Sequence, residues 1–106
     1  MAGQYRQGDV LLCGVERIPS AAYRVAVEGE RVVVAEGELS GHAHAFARKG
    51  VRLFRDKKSH RDFLLIGKAG AELRHEEHGA IPVLEGCYEI RHQREYTPRS
   101  PRLIRD

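Results

Sequence analysis

The chain has 106 residues, of which 42% are hydrophobic and 31% carry charges of both signs. This length provides for one hydrophobic core and excludes two independent domains, and the composition excludes a chain that is disordered throughout. The formal net charge of +3 mildly favours anionic partners, but it is too small for a tail that binds nucleic acid by charge alone.

Two further features set an expectation for the compartment. The amino end has no apolar signal core and no apolar run is long enough to cross a bilayer, so we expect a cytoplasmic protein with no membrane partner. Cys13 and Cys87 are far apart in apolar segments, which predicts buried free thiols in a reducing compartment.

The first half of the chain alternates short apolar runs with turn signals. Gly8-Asp9 is a turn signal, and the apolar run at 10–15 that follows predicts a buried strand. The alternating segments at 23–27 and 31–35 are separated by Glu28-Gly29-Glu30, which predicts a hairpin.

The second half continues the pattern with short runs and Gly-rich turns. Strands are predicted at 42–47, 51–54, 63–66, 71–75, 81–84 and 87–93, and residues 97–106 are predicted to form a partly irregular tail. Short strands without a helical period indicate an all-β fold, so we expect residues 1–106 to form a single-domain β-barrel or sandwich.

Histidines are concentrated in two of these segments, Gly41-His42-Ala43-His44 and His75-Glu76-Glu77-His78. Residues two apart on a strand share a face, so His42 and His44 are placed side by side as a chelating pair requires. On a strand His75 and His78 point to opposite faces, and they converge only at a bulge or a strand end.

These four histidines are the predicted ligands of a metal site: His42, His44, His75 and His78. Neutral imidazoles favour a divalent transition metal, of unassigned identity, over calcium or magnesium. An open coordination position would allow a metal-dependent enzyme that acts on a small or anionic substrate. The candidate catalytic residues are Glu77 as a base, with His92 and Tyr88 on one face of the last strand.

Two other classes of function use the same residues. Two histidines without metal can act as general acid and base in a ribonuclease, and the basic segment at 48–62 would hold the RNA. A non-catalytic interaction module is the third class, and exposed edge strands would allow a homodimer.

The segment Gly41-His42-Ala43-His44, together with the turn at 82–86 before the final strand, resembles a reduced cupin. That resemblance implies a small metal-binding β-barrel in which His42 and His44 are ligands, with His75, His78 and His92 replacing the remaining ones. The chain as a whole also resembles a set of uncharacterised short bacterial proteins, through the segments at 8–11, 35–38, 41–44, 75–78 and 93–96. This second resemblance implies a free-standing bacterial domain and no particular activity.

Overall fold

The computed structural model describes residues 3–36 and 43–92, and these residues form strands joined by turns. The strands, in chain order, are β1 (Gln4–Gln7), β2 (Val10–Val15), β3 (Tyr23–Arg24), β4 (Arg31–Glu36), β5 (Ala43–Ala47), β6 (Val51–Asp56), β7 (Arg61–Ile66), β8 (Ala71–Leu73), β9 (Ile81–Val83) and β10 (Gly86–His92). None of the described residues forms a helix long and apolar enough to cross a membrane.

Six strands form one antiparallel sheet, which we call the large sheet, in the order β1-β2-β10-β7-β6-β3. Its central strands are the apolar runs that the sequence predicted. Strand β2 begins, β10 ends and β7 begins at the same end of this sheet, because His92 pairs with Val10 and Ile90 pairs with Asp62. The Gly8–Asp9 turn lies at this end, which we call the histidine end.

The remaining strands form two antiparallel pairs, β4 with β5 and β8 with β9. Reciprocal backbone hydrogen bonds of 2.9 Å between Ala45 and Arg74 connect the pairs into a second layer, which we call the small sheet. The hydrophobic core lies between the two layers, and its fully buried members include Leu12, Phe46, Leu64, Leu73 and Tyr88.

The predicted all-β class is confirmed, and of the two predicted architectures the sandwich is the observed one. The large sheet ends at β1 on one side and β3 on the other, and these strands do not pair to close a cylinder within the described ranges. The barrel alternative, and with it the barrel that the cupin resemblance implied, is therefore wrong.

The predicted hairpin across residues 23–35 is also wrong. Strand β3 pairs with β6 at the edge of the large sheet, whereas β4 pairs with β5 in the small sheet. The chain changes layer between these strands, and Gly29, with its positive φ of 80°, lies in that crossing. The residues of the predicted tail, 97–106, lie outside the described residues.

Each strand of the large sheet has an inner face toward the core and an outer face. On the first hairpin Gln7 and Val10 point inward, and the next pair, Arg6 and Leu11, point outward. Cys13 also lies on the outer face, and both cysteines are free and half-buried rather than buried.

Candidate functional site

Three imidazoles meet at the histidine end, between the two sheets. His44 lies on β5, while His75 and His78 lie in the loop that follows β8. The ring centroids are 4.3 Å apart for His44 and His75, 4.6 Å for His75 and His78, and 5.8 Å for His44 and His78. The chain thus brings together three of the four predicted ligands, and His42 lies outside the described residues.

Hydrogen bonds hold the loop that follows β8 against β5. The bridge between Ala45 and Arg74 fixes the chain immediately before His75, and the Ala43 amide donates a 3.0 Å hydrogen bond to Glu76 Oε1. These contacts lie on both sides of His44 in sequence. The loop is therefore docked along the strand that carries the buried histidine.

His44 is oriented by Gln7, which the sequence did not single out. Gln7 is 3% exposed, and its Nε2 donates 2.8 Å hydrogen bonds to the carbonyl oxygens of Leu73 and Gly79. Carbonyl oxygens only accept, so the Gln7 amide has one orientation, in which Oε1 faces His44 Nδ1 at 2.9 Å. Nδ1 of His44 must then be the donor, and in the neutral ring the lone pair is on Nε2.

That Nε2 faces a carboxylate. Asp9 Oδ1 is 3.6 Å from His44 Nε2, and the Asp9 side chain is exposed while that of His44 is buried. Burial lowers the pKa of His44, the neighbouring His75 lowers it further, and Asp9 opposes them by raising it; His78 and His92 make smaller lowering contributions. His44 is consequently a neutral, oriented imidazole whose lone pair points toward a negative charge.

His75 has a different role from the one predicted. Its Nδ1 accepts hydrogen bonds from the backbone amides of Glu77 at 3.0 Å and His78 at 3.3 Å. A neutral imidazole has one lone pair, so the proton of His75 is on Nε2 and no lone pair remains for a metal in this geometry. The ring organises the turn at 75–78. His75 was predicted to end a strand at 71–75, but β8 ends at Leu73 and His75 lies in the loop beyond it.

His78 packs beside Gly8 at the sheet end. A Cβ atom on Gly8 would be 2.7 Å from His78 Nε2 and 3.2 Å from His44 Cε1, so the glycine leaves room for both rings. Gly8 has a φ of 60°, the left-handed region that glycine adopts without strain. His78 itself is exposed.

Of the three predicted catalytic residues, His92 and Glu77 lie at the histidine end and Tyr88 does not. His92 is exposed at the end of β10 and is close enough to His44 to affect its pKa. Glu77 is exposed, and its amide contributes to the turn described above.

Tyr88 does not share the site. It is fully buried, its hydroxyl donates a 2.7 Å hydrogen bond to the Leu84 carbonyl, and burial raises its pKa to about 12. It lies four residues from His92 on the same strand, a separation of about 13 Å. The prediction that Tyr88 acts with His92 is corrected, because sharing a strand face does not place two residues at the same end of the sheet.

The site is not preformed as a cage around a metal. Within residues 3–36 and 43–92 no group of three His, Cys, Asp or Glu side chains has an arrangement that could hold a metal ion. Rings that radiate from one metal with bonds of about 2 Å stand about 5 Å apart at their centres, whereas two of the three separations here are shorter. The arrangement offers the buried lone pair of His44 Nε2 and the adjacent Asp9 carboxylate. Two exposed histidines, His78 and His92, lie at the rim.

Fold and site together define a small all-β sandwich domain with a histidine site at one end of its large sheet. A family model, described as a domain of unknown function (DUF8820), matches residues 6–93. The chain belongs to that family. No curated protein and no solved structure matches the chain.

Proposed function

We propose that this chain is a metal-binding β-sandwich domain in which His44 Nε2 and the Asp9 carboxylate provide the first two ligands of a divalent transition metal. The single observation that carries the proposal is the hydrogen bond from His44 Nδ1 to Gln7, which directs the Nε2 lone pair toward Asp9. Histidine ligands are commonly oriented in this way by a partner of the other ring nitrogen.

A metal ion suits this position better than a proton. A lone pair that faces a carboxylate at 3.6 Å is stabilised when a cation lies between them. Burial lowers the pKa of His44, so the ring does not readily acquire a proton to fill that place. An imidazole nitrogen selects transition metals over calcium and magnesium.

The distances require only small side-chain movements. Two ligands at about 2 Å from a tetrahedral metal are about 3.3 Å apart, close to the observed 3.6 Å. Asp9 and His78 are exposed, so either can change its side-chain rotamer at low cost. His42 is a fourth candidate ligand, because it lies two residues before His44 and residues two apart on a strand share a face.

Such a ligand set also supports the enzymatic extension of the proposal. If His44, Asp9 and His78 alone bind the metal, these three protein ligands would leave a coordination position for water or for a small anionic substrate, and His92 at the rim would supply a proton carrier. The ribonuclease alternative, which pairs His42 or His44 with His75 or His78, is less well supported where it uses His75. To act as a general acid, His75 would have to become an imidazolium, and it would then lose the amide hydrogen bonds that Nδ1 accepts.

The proposal is tested by titrating chelator-treated protein with Zn²⁺ and Co²⁺ by calorimetry. We expect one metal per chain, with affinity reduced about 100-fold or more in Asp9→Asn and in His44→Asn, since even residues behind a ligand affect affinity 10- to 100-fold. His44→Asn keeps the local hydrogen bond, because its side-chain amide can still donate to Gln7. The matched control is His60→Asn, which removes an exposed histidine with a φ of 60° in the turn between β6 and β7. Binding without a definite stoichiometry, or an equal loss in the control, would contradict the proposal.

A further inference from the structure

The outer face of the large sheet presents arginines from five strands. Strand alternation and register place on this face Arg6, Arg24, Arg52, Arg61 and Arg91, all of them exposed. The same alternation places two carboxylates there, Asp56 and Glu89. This face therefore has a formal excess of positive charge, although the molecule as a whole is nearly balanced.

Three of the arginines form a row at the histidine end, which we call the arginine row: Arg6, Arg91 and Arg61. Arg6 and Arg91 flank Leu11 from the two neighbouring strands, so they stand about 10 Å apart. Arg61 lies on the next strand beyond Arg91. The row is at right angles to the strands and crosses four of them.

A buried carboxylate fixes two members of this row. Glu89 is 7% exposed; its Oε1 accepts a 3.1 Å hydrogen bond from Arg91, and its Oε2 is 3.5 Å from Arg61 Nε. The two guanidinium groups remain more than half exposed. Glu89 thus holds them in place while their outer edges stay open to an anion, and oriented guanidinium groups are well suited to phosphate.

Apolar side chains lie beside these charges on the same face. Phe54 is half-buried and is not a member of the hydrophobic core, because it points away from it. Its neighbours in register are Phe63 on β7 and Arg24 on β3. A half-buried aromatic side chain beside the cations Arg24 and Arg52 provides a surface on which a base of a single-stranded nucleic acid can stack.

We propose that the outer face of the large sheet binds single-stranded nucleic acid, with the phosphates on the arginine row and a base on Phe54. Charge complementarity selects a polyanion, and Phe54 distinguishes a polymer with bases from polyphosphate. This surface is separate from the histidine site and does not depend on its metal.

The test is fluorescence anisotropy of labelled 20-nucleotide single-stranded RNA and DNA with the full chain at 50 to 200 mM salt. Each lost phosphate contact on a single strand lowers the salt slope by about 0.7, so Arg61→Gln/Arg91→Gln should lower it by about 1.4 and weaken binding about 20-fold near 0.1 M salt. Since this variant alters the Glu89 contacts, Arg6→Gln/Arg24→Gln provides a second test that leaves them intact. The charge-matched control is Arg31→Gln/Arg74→Gln, in the small sheet.

Phe54→Ala tests the stacking contact, and we expect about ten-fold weaker binding to oligonucleotides with no change for polyphosphate. RNA and DNA are compared to show whether the 2′-hydroxyl contributes. The proposal is overturned by absent binding at 50 mM salt, or by an equal loss in the control. It is also overturned by binding to anionic vesicles instead of oligonucleotides, or by sedimentation that shows a second copy covering this face.

Discussion

Replacing Gln7 with leucine tests the hydrogen-bond arrangement on which the metal proposal depends. The substitution removes the partners of His44 Nδ1, of the Leu73 carbonyl and of the Gly79 carbonyl. Gly79 is exposed and can bind water instead, whereas Leu73 and His44 are buried. Two buried polar groups without partners cost about 1 to 3 kcal/mol each, so we expect the free energy of unfolding to fall by about 2 to 6 kcal/mol.

The substitution should also change the tautomer of His44. Without an acceptor at Nδ1, the proton is better placed on Nε2, where it faces Asp9, and the lone pair then points away from the proposed metal position. We therefore expect zinc affinity to fall 10- to 100-fold, as for other residues that orient a ligand.

Urea unfolding of the metal-free protein measures the first effect and calorimetry the second. The matched control is Gln4→Leu, the same substitution on the same strand at an exposed position, where a change within about 0.5 kcal/mol is expected. If Gln7→Leu costs no more than Gln4→Leu, Gln7 does not stabilise the site and does not fix the tautomer of His44.

Two further predictions concern the same end of the sheet. The pKa of His44 is lowered in the folded protein, whereas in the unfolded chain it has its ordinary value of 6.5. Between the lowered pKa and 6.5 the unfolded chain therefore binds more protons than the folded protein. The free energy of unfolding in chelator should hence be level above about pH 7.5 and fall as the pH decreases toward the lowered pKa. This decline should be smaller in His44→Asn, and equal declines would count against burial as the cause. Gly8→Ala places a Cβ 2.7 Å from His78 Nε2. The control is Gly29→Ala, because Gly29 also has a positive φ, 80°, but no atom lies within 4 Å of the added Cβ. Both should lose about 1 kcal/mol through the left-handed backbone, but only Gly8→Ala should also weaken zinc binding, because its Cβ takes space beside the His78 and His44 rings. Equal zinc affinities would show that the space at Gly8 does not constrain the ligands.

Sequence predicted the fold where local patterns determine structure. Apolar runs such as 10–15 and 63–66 are strands because both their length and their residue types favour a buried strand. The pairing of β3 and β4 could not be predicted in this way. The turn residues around Gly29 are compatible with a hairpin, but the edges of two different sheets provide the actual partners.

The site was predictable to a smaller extent. Strand parity placed His42 and His44 on one face of their strand without deciding which face is buried, and the density of histidines at 75–78 indicated the segment that meets His44. Gln7 and Asp9 carried no such signal, because a single glutamine and a turn aspartate are common at the ends of strands. Their role arises from contacts with residues 37 and 35 positions away, which only the assembled sandwich creates.

The two proposed sites are separated by strand alternation alone. Gln7 and His92 lie on the inner face of the large sheet, His92 at its exposed end, while the residues immediately before them, Arg6 and Arg91, lie on the outer face. A register shift of one residue in β1 would exchange these faces, so the two-residue turn at Gly8 and Asp9 determines both sites at once. A substitution that alters only a side chain acts on one face, which makes metal binding and nucleic-acid binding separable by mutation. A substitution that alters the turn itself should disturb both.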